Sequence, residues 1–410
     1  MTQRVLLGLA TAVLSAALAG CQQPKPTEGA VLPPEPDYTR PLPPGASALR
    51  LITDPARLPD LRAAYATYDA TLLRAIDASV VFFAAPSSRR SFPFEGITHA
   101  QAYASVLAMR ELLRGDPTPE AFELEVLRRF DVYESVGYNG AGTVLFTGYF
   151  SPEFPASLRR TTRFGAPLYR RPSALVTDPM TGTPQGWTTG GRVGASPTRG
   201  QFETSGVLDG TELVWLEDAL SAYLVHVNGS AKLRLRDGRV MYVGYDGKTE
   251  HEYASLGRAM VEAGLLGKNE LSLPAIRRVY RAKPAAVEAL MLRNDCFVFF
   301  REYPGDAWPA GSLGVPVTSE RSLATDKRIY PRGGVVLVDT DAVTFSESTR
   351  PFFRLMLDQD TGGAIRAPGR ADLFMGIGPT AEILAGGQYA EGRLYYFLLK
   401  PGYVEHYPVE

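Results

Sequence analysis

The chain has 410 residues, of which 45% are hydrophobic, and a formal net charge of -1 at pH 7. A near-neutral charge provides no basic surface for a large polyanion, so nucleic acid is excluded as the expected partner. The histidines lie far apart and none shows metal-ligand spacing, so neither a metal nor any other cofactor is predicted. These histidines are His99, His226, His251 and His406.

Residues 1–20 have the features of a secretory signal peptide. Arg4 is followed by a short apolar run and by Leu18-Ala19-Gly20, which are small residues before a cleavage point. The run is too short for a comfortable transmembrane helix. Cys21 then resembles the lipidated cysteine of bacterial lipoproteins, and Gln22 stands where an inner-membrane retention signal usually has Asp. We therefore expect an outer-membrane lipoprotein that faces the periplasm and is attached to the membrane through Cys21.

Residues 21–46 combine this cysteine with a proline-rich tract that has almost no large apolar side chains. Such a tract stays extended and is expected to serve as a tether. About 360 residues follow it, enough for two domains. The second cysteine, Cys296, has no partner once Cys21 is lipidated, so it is expected to be a small core residue. A monomer is the expected oligomeric state.

Residues 54–130 show helical periodicity. Ala64, Tyr68, Leu72, Ile76 and Val80 recur every four residues, which predicts one long amphipathic helix. Two more helices are expected to begin at Thr98 and at Thr118-Pro119-Glu120, where a hydroxyl precedes the first turn. These helices are interpreted as packing elements.

After residue 140 the pattern favours strands. Strands are expected at 143–150, 222–227, 232–235, 240–245, 296–301, 334–339, 353–357 and 394–399, with helices at 253–263, near Ser272 and after Pro284. Short strands separated by turns, with few helices between them, are typical of β-barrels.

The segment 355–378 sets Asp358, Asp360 and Asp372 among five glycines. Aspartate and glycine in such a setting are usually turn formers. The alternative is that the carboxylates carry chemistry, and only the rest of the chain can decide between the two.

Several separated segments together resemble the membrane-bound lytic murein transglycosylase A family. They include Tyr253-Ala-Ser-Leu-Gly-Arg258 and Gln359-Asp360-Thr361-Gly362-Gly363. The others are 145–152, 167–172, 197–199, 213–231, 294–300, 314–317 and 321–326. They occur in the family's order between about residues 143 and 400.

The resemblance implies a mainly β fold with N-terminal helices, in which a double-psi β-barrel carries a second, smaller β-barrel domain as an insertion. The expected boundaries are 47–158 for the helices and the first part of the barrel, 159–299 for the insertion and 300–410 for the rest of the barrel. A groove between the two domains is expected to hold a glycan strand of peptidoglycan.

The resemblance also assigns the site. Asp372 corresponds to the family's catalytic residue, and Asp326 and Asp360 to supporting aspartates, which we expect to hold backbone turns. The family offers no role for Asp358, which is therefore expected to be an exposed acid. Substrate contacts are implied for Thr147, Gly148, Tyr149 and Asn228, although Asn228 replaces the family's usual Gln.

The implied activity is cleavage of the β-1,4 bond between N-acetylmuramic acid and N-acetylglucosamine, with formation of a 1,6-anhydro ring. One carboxyl suffices, first as general acid and then as base, because the nucleophile is the substrate's own C6 hydroxyl. Such an acid must carry a proton at neutral pH, which apolar neighbours or a second carboxylate would favour. Two alternatives are a glycoside hydrolase with the same barrel, which needs two carboxylates, and a non-catalytic wall-binding lipoprotein.

Overall fold

The computed structural model describes residues 36–179, 182–267, 270–346 and 348–408. The signal peptide, Cys21 and the first part of the tether lie outside these residues. None of the described helices is long and apolar enough to span a bilayer.

The N-terminal region packs helices against one face of the main sheet. Its elements are β1 (Leu49–Leu51), α1 (Leu61–Ala66), α2 (Ala70–Ala84), α3 (His99–Arg114), α4 (Pro119–Arg129), β2 (Phe130–Ser135) and β3 (Val144–Ser151). The single long helix predicted over 64–80 is wrong, because the chain breaks between α1 and α2. There Asp69 takes extended backbone angles and accepts the N–H groups of Thr71 and Leu72 as the α2 N-cap.

The middle region contains two further sheets. Its strands are β4 (Glu153–Ser157), β5 (Ala166–Tyr169), β6 (Leu175–Thr177), β7 (Pro184–Thr189), β8 (Arg192–Gly194), β9 (Glu212–Leu216), β10 (Ser230–Leu235), β11 (Val240–Lys248) and β12 (Val298–Tyr303). Its helices are α5 (Arg199–Thr204), α6 (Ala219–Asn228), α7 (Leu256–Glu262), α8 (Leu273–Ala282) and α9 (Pro284–Met291).

The strand predicted over 222–227 is wrong, since these residues belong to α6. Asp218 caps the start of that helix and Gly229, with φ of 72°, ends it in the left-handed region. The helix is buried from Leu220 to His226, so its apolar run lacks the polar face by which a helix is recognised.

The C-terminal region returns to the first sheet. Its elements are β13 (Ser322–Ala324), β14 (Val335–Val343), β15 (Thr349–Asp360), β16 (Arg370–Ile377), α10 (Gly378–Gly387), β17 (Tyr389–Leu399) and α11 (Pro401–Val404).

Six strands of the first sheet close into a barrel. The pairing order is β17-β14-β15-β13-β16-β3, and β3 pairs again with β17, while β1 and β2 extend the sheet from β17. Two of the pairings, β13 with β15 and β16 with β3, are parallel. This ring is the mainly β double-psi architecture that the sequence predicts.

The inserted region forms a second, smaller barrel. Its sheet has the order β12-β11-β10-β4-β9-β5, and an isolated bridge between Arg170 and Phe300 joins the two ends. The remaining strands, β6, β7 and β8, make a separate three-stranded sheet. Cys296 is buried, as the sequence predicts for a small core residue.

Asp358 is not the exposed acid that the sequence predicts. Its exposure is 0%, and it forms an ion pair with the buried Lys327 inside the barrel. The hydroxyls of Thr325 and Tyr396 each donate a hydrogen bond of 2.8 Å to Asp358 Oδ2. The expectation failed because position 358 continues β15, where a two-residue period places alternate side chains inside the barrel.

Replacing Asp358 by Asn is expected to lower the free energy of unfolding by about 3–5 kcal/mol, because Lys327 would be left as a buried charge without its partner. Urea denaturation measures the loss. Asp341→Asn, at an exposed position of β14, is the matched control and should change stability little.

The double variant Lys327→Met with Asp358→Asn distinguishes an ion pair from simple packing. Removing both charges should cost less than removing Asp358 alone. If instead the stability lost in the double variant equals the sum of the losses in Asp358→Asn and in Lys327→Met, the ion-pair explanation is wrong.

Candidate active site

Thr147 on β3 and Asp372 on β16 lie opposite each other in the parallel pair that helps to close the barrel. The Thr147 hydroxyl donates a hydrogen bond to Asp372 Oδ1. The side chain of Asp372 is 13% exposed, so it reaches the surface at this point. Two neighbouring strands, and no flexible loop, therefore set the position of this carboxylate.

Arg370 completes the contact on the same face of β16, two residues before Asp372. Its Nη2 donates to Thr147 Oγ1 at 3.3 Å, and its Nε lies 3.5 Å from Asp372 Oδ1. Oδ1 of Asp372 is thus held by protein groups. For Oδ2, the described residues offer no hydrogen-bond partner, which leaves this oxygen available for proton transfer.

Unpaired polar atoms gather at this site. Three buried side-chain nitrogen or oxygen atoms in the described part of the chain lack a hydrogen-bond partner, and two of them are the Tyr149 hydroxyl and Arg370 Nε. The Tyr149 ring packs against Phe374 with the centroids 5.1 Å apart. Buried polar groups are nearly always paired, so these atoms mark a place where a polar ligand would find partners.

Asp360 lies at the end of β15 beside Tyr149. Its Oδ1 accepts the backbone N–H groups of Ser312 and Thr361, both at 2.8 Å. Burial raises the pKa of Asp360, against the opposing effect of these two hydrogen bonds. Burial and the Asp360 carboxylate together raise the pKa of Tyr149 well above its usual value.

Asp326 holds the segment that leads into β16. Its carboxylate accepts the backbone N–H groups of Arg328 and Ala367, both at 3.1 Å. Burial acts to raise the pKa of Asp326, but the hydrogen bonds from Arg328 and Ala367 outweigh it and lower the pKa. Ala367 has φ of 65°, a left-handed conformation that is unfavourable for alanine, so the Asp326 contact stabilises a strained turn.

Gly148 and Asn228 are placed differently from Thr147 and Tyr149. A Cβ on Gly148 would lie 2.7 Å from Ala385 Cα, so glycine is required for α10 to pack on β3. Asn228 ends α6, and its Nδ2 donates to the Leu224 carbonyl of the same helix at 2.8 Å. The structure therefore shows intramolecular contacts for both residues.

The inserted domain reaches the site through Tyr253. A Cβ on Gly363, in the loop after β15, would lie 3.3 Å from Tyr253 Cβ. Burial raises the pKa of Tyr253, and the nearby Arg370 charge opposes this. Sequence reasoning gave no role to Arg370 or Tyr253. The two-residue spacing from Asp372 was the available signal for Arg370, whereas the placement of Tyr253 depends on how the domains pack.

A cavity of about 550 Å³ lies next to this site, at the end of β16. Phe374 lines it, together with Met375 and Ile377, and Trp308 forms part of its wall. Trp308 Nε1 donates to the Val243 carbonyl of the inserted domain at 3.0 Å. The cavity therefore adjoins a junction of the two domains. The described residues include no cluster of three or more His, Cys, Asp or Glu that could hold a metal ion.

Two family models match this chain. The MltA specific insert domain matches residues 145–301 and the 3D domain matches residues 321–398. Membrane-bound lytic murein transglycosylase A of Escherichia coli K12 is 29% identical over 283 residues, which cover 67% of this chain and 72% of that protein. The protein of the same name from Vibrio cholerae is 32% identical over 268 residues, with 63% and 66% covered.

Solved structures agree with these matches. A lytic transglycosylase of Burkholderia pseudomallei, LtgG, is 30% identical, with 87% of this chain and 96% of that chain covered and a TM-score of 0.52. Membrane-bound lytic murein transglycosylase from Agrobacterium tumefaciens shares the fold with a TM-score of 0.71 at 24% identity, covering 88% and 100%. Escherichia coli MltA with bound chitohexaose shares it with a TM-score of 0.65 at 24% identity, covering 90% and 97%.

The fold and the pair of domains thus define an enzyme of the lytic transglycosylase class, which acts on peptidoglycan. The chain belongs to the membrane-bound lytic murein transglycosylase A family.

The raised pKa of Asp360 predicts a pH-dependent difference between the protein and its Asp360→Asn variant. Folding favours the protonated acid, so wild-type stability falls as pH rises from the unfolded pKa, near 3.9, through the folded pKa. Asn cannot ionise, and its Oδ1 still accepts both backbone N–H groups. The unfolding free energy of the variant minus that of wild type should therefore increase between pH 4 and pH 8.

Urea denaturation of both proteins at each pH gives this difference, in which the contributions of other titrating groups cancel. A difference that is constant or decreases with pH would show that the Asp360 pKa is not raised by folding.

Proposed function

We propose that this protein cleaves the β-1,4 bond between N-acetylmuramic acid and N-acetylglucosamine in peptidoglycan and forms 1,6-anhydromuramic ends, with Asp372 as the single acid and base. The main support for this proposal is that the two oxygens of the Asp372 carboxylate have different surroundings. Thr147 and Arg370 contact Oδ1, and Oδ2 has no hydrogen-bond partner in the part of the chain that the structure describes. One carboxyl with one fixed and one free oxygen suits a group that gives a proton and then takes one back.

The reaction balances without water. Protonated Asp372 Oδ2 donates its proton to the glycosidic oxygen as the bond to C1 breaks, and the N-acetylglucosamine part leaves with a free hydroxyl. The C6 hydroxyl of the muramic acid then bonds to C1 and closes the 1,6-anhydro ring. Asp372 Oδ2 takes the C6 hydroxyl proton, which restores the acid for the next cycle. The internal nucleophile needs no second carboxylate, because it is already held near C1.

Thr147 and Arg370 act as positioning residues in this proposal. The Thr147 hydrogen bond and the Arg370 charge at Oδ1 restrict rotation of the Asp372 side chain, so that Oδ2 faces the substrate. Charge on Arg370 also stabilises the carboxylate that forms after the proton has been given away. A positioned group of this kind contributes to the rate of both proton transfers.

The glycan is proposed to lie along the junction of the barrel and the inserted domain, whose strands run from β4 (Glu153–Ser157) to β12 (Val298–Tyr303) and so extend beyond the expected boundaries at 159 and 299. Among the described residues the buried Tyr149 hydroxyl has no hydrogen-bond partner there, which suits a hydroxyl or N-acetyl group of a sugar. We keep Thr147, Gly148, Tyr149 and Asn228 as proposed substrate neighbours, with Gly148 acting through the packing of α10. A protein of the same fold has been solved with chitohexaose bound.

Asp372→Asn is expected to abolish release of anhydromuropeptides from purified sacculi, since the amide can neither give nor take the proton. Glycan binding should persist, because the side-chain volume and the Thr147 contact are retained. Mass spectrometry of the digest is the measurement. The product masses also decide the reaction class, because anhydro ends lack the water that hydrolysis adds.

Two further variants sharpen this test. Thr147→Val replaces the hydroxyl by a methyl group and should slow the formation of anhydromuropeptides by about 10–100-fold. This corresponds to losing a hydrogen bond to a charged group. Asp341→Asn, an exposed acid on β14, is the matched control and should digest at the wild-type rate. Wild-type digestion by Asp372→Asn would refute the assignment, and hydrated products would identify a hydrolase. Binding without any product from wild type would indicate a non-catalytic wall protein.

We also propose that lipid on Cys21 anchors the protein to the outer membrane, facing the periplasm. The lipoprotein-like segment before Cys21 supports this proposal, as do relatives named membrane-bound. Cys21→Ser should move the protein from the membrane pellet to the soluble fraction after cell lysis, with digestion of sacculi unchanged in the purified protein. A variant that sediments with the outer membrane as wild type does would contradict the anchor.

A further inference from the structure

A second cavity, of about 520 Å³, lies within the inserted domain, and none of its lining residues belongs to the candidate active site. It is enclosed by parts of β5, α5, α6, α8 and α9, and its volume is in the range that small-molecule sites have. Arg199, Glu203, Tyr223, His226 and Phe297 line it. Its wall therefore combines aromatic rings with charged and hydrogen-bonding groups.

Arg199 gives the cavity a buried positive charge. Only 3% of this residue is exposed, and its guanidinium lies 5.1 Å from the ring centre of Tyr223 and 4.9 Å from that of Phe297. Nε and Nη2 donate to the carbonyls of Asn294 and Cys296. Its third nitrogen, Nη1, has no hydrogen-bond partner within the described ranges. That nitrogen can serve an anionic ligand in the cavity.

His226 adds a second hydrogen-bond donor. It is 7% exposed, and its Nδ1 accepts the Val298 N–H at 3.1 Å, so the ring proton is on Nε2. Nε2 has no partner in the part of the chain that the structure describes. Burial and the Arg199 charge lower the pKa of His226 well below its usual value, which keeps the ring a neutral donor.

Acidic residues surround the mouth of the cavity, and one of them is available for a ligand. Glu217 pairs with Arg163 at 2.6 Å, and Glu288 accepts the Tyr280 hydroxyl at 2.9 Å. Glu203 has no hydrogen bond or ion pair with any residue in the described ranges. It lies four residues after Arg199 on α5, so both side chains are on one face of that helix.

We propose that this cavity binds the zwitterionic end of a short peptide, with its carboxylate at Arg199 and His226 and its ammonium group at Glu203. A buried cation with a neutral donor recognises a carboxylate, and an unpaired carboxylate at the mouth recognises an ammonium group. The aromatic walls cover the carbon chain between the two charges. The identity of the ligand as a peptide stem of peptidoglycan rests on the proposed function.

Two hydrogen bonds lead from the cavity wall to the segment by which the inserted domain meets the barrel. Asn294, which is 3% exposed, donates from Nδ2 to the Tyr223 hydroxyl and accepts the Ala254 N–H at its Oδ1, both at 3.1 Å. The next residue towards the N-terminus, Tyr253, meets the barrel at Gly363. A peptide in the cavity therefore contacts a wall whose position is tied to the glycan site.

Calorimetric titration with the tripeptide alanyl-γ-glutamyl-diaminopimelate, a side chain of the kind that peptidoglycan carries, tests the proposal. Wild type should bind the free tripeptide and should not bind a version with its amino groups acetylated and its carboxylates amidated. Free diaminopimelate alone distinguishes the two sources: binding as strong as the tripeptide's identifies an amino-acid site, and weaker binding identifies a stem site. In either case the zwitterion proposal stands.

Glu203→Gln should weaken tripeptide binding at least tenfold, and Glu262→Gln, an exposed acid outside the cavity, should leave it unchanged. His226→Asn keeps an acceptor for the Val298 N–H, removes the Nε2 donor and should also weaken binding about tenfold. Wild-type affinity in Glu203→Gln, equal binding of the blocked peptide, or no binding of either peptide to wild type overturns the inference.

The same titration with Asp372→Asn separates this inference from the proposed function. Tripeptide binding by that variant should equal wild type, because Asp372 is not part of the cavity. Normal release of anhydromuropeptides without tripeptide binding overturns the peptide site alone. Peptide binding by a protein that releases no anhydro products overturns the proposed function alone.

Discussion

The register between β3 and β16 is the constraint on which the site depends. In this parallel pair Asp372 is opposite Thr147 and Phe374 is opposite Tyr149. A shift of one residue would turn each side chain to the other face of the sheet and separate the hydroxyl from the carboxylate. Such a shift is prevented because β3 also pairs with β17, which closes the barrel. The same hydrogen bonds that complete the fold therefore orient the acid.

The aspartates of the barrel differ through the groups that surround them. Asp358 is fully buried and neutralised by Lys327, so it contributes to the core and is not available to a ligand. Asp326 and Asp360 each accept two backbone N–H groups and hold the loops on either side of the site. At Asp372 a side-chain hydroxyl donates to one oxygen, and the described residues offer no hydrogen-bond partner to the other. The proposed chemistry belongs to this carboxylate, which also reaches the surface.

Much of this arrangement could be predicted from the sequence, and the failures have physical reasons. The helix starts at Thr98 and Thr118 were found because capping is a local signal that a few residues carry. The helix α6 was missed because an element buried on all sides loses its periodicity, and periodicity was the signal used. The burial of Asp358 was not predicted because β15 continues beyond the predicted strand end at residue 357. Asp358 is therefore a strand residue with a buried side chain.

The contacts of the inserted domain with the barrel could not be predicted from the sequence. Tyr253 belongs to a recognisable motif, yet its position beside Gly363 depends on how two domains pack. Local sequence patterns contain no information on such long-range packing. The position of Arg370 beside Asp372, in contrast, could be predicted, because strand residues two positions apart share a face. The aspartates of segment 355–378 gave the stronger chemical signal, and Arg370 lies between two of them in the sequence.

The way in which the inserted domain joins the barrel explains how the two can form one site. β3 ends at Ser151 and β4 begins at Glu153, so only Pro152 separates the strand that carries Thr147 from the first strand of the insertion. Ser151 Oγ also forms a hydrogen bond of 2.8 Å with Ser230 Oγ at the start of β10. A connection this short, reinforced by a buried hydrogen bond, leaves little freedom for hinge motion at that end. The orientation of the insertion, and with it the position of Tyr253, is thereby coupled to β3. The register of β3 with β16 places Thr147 opposite Asp372.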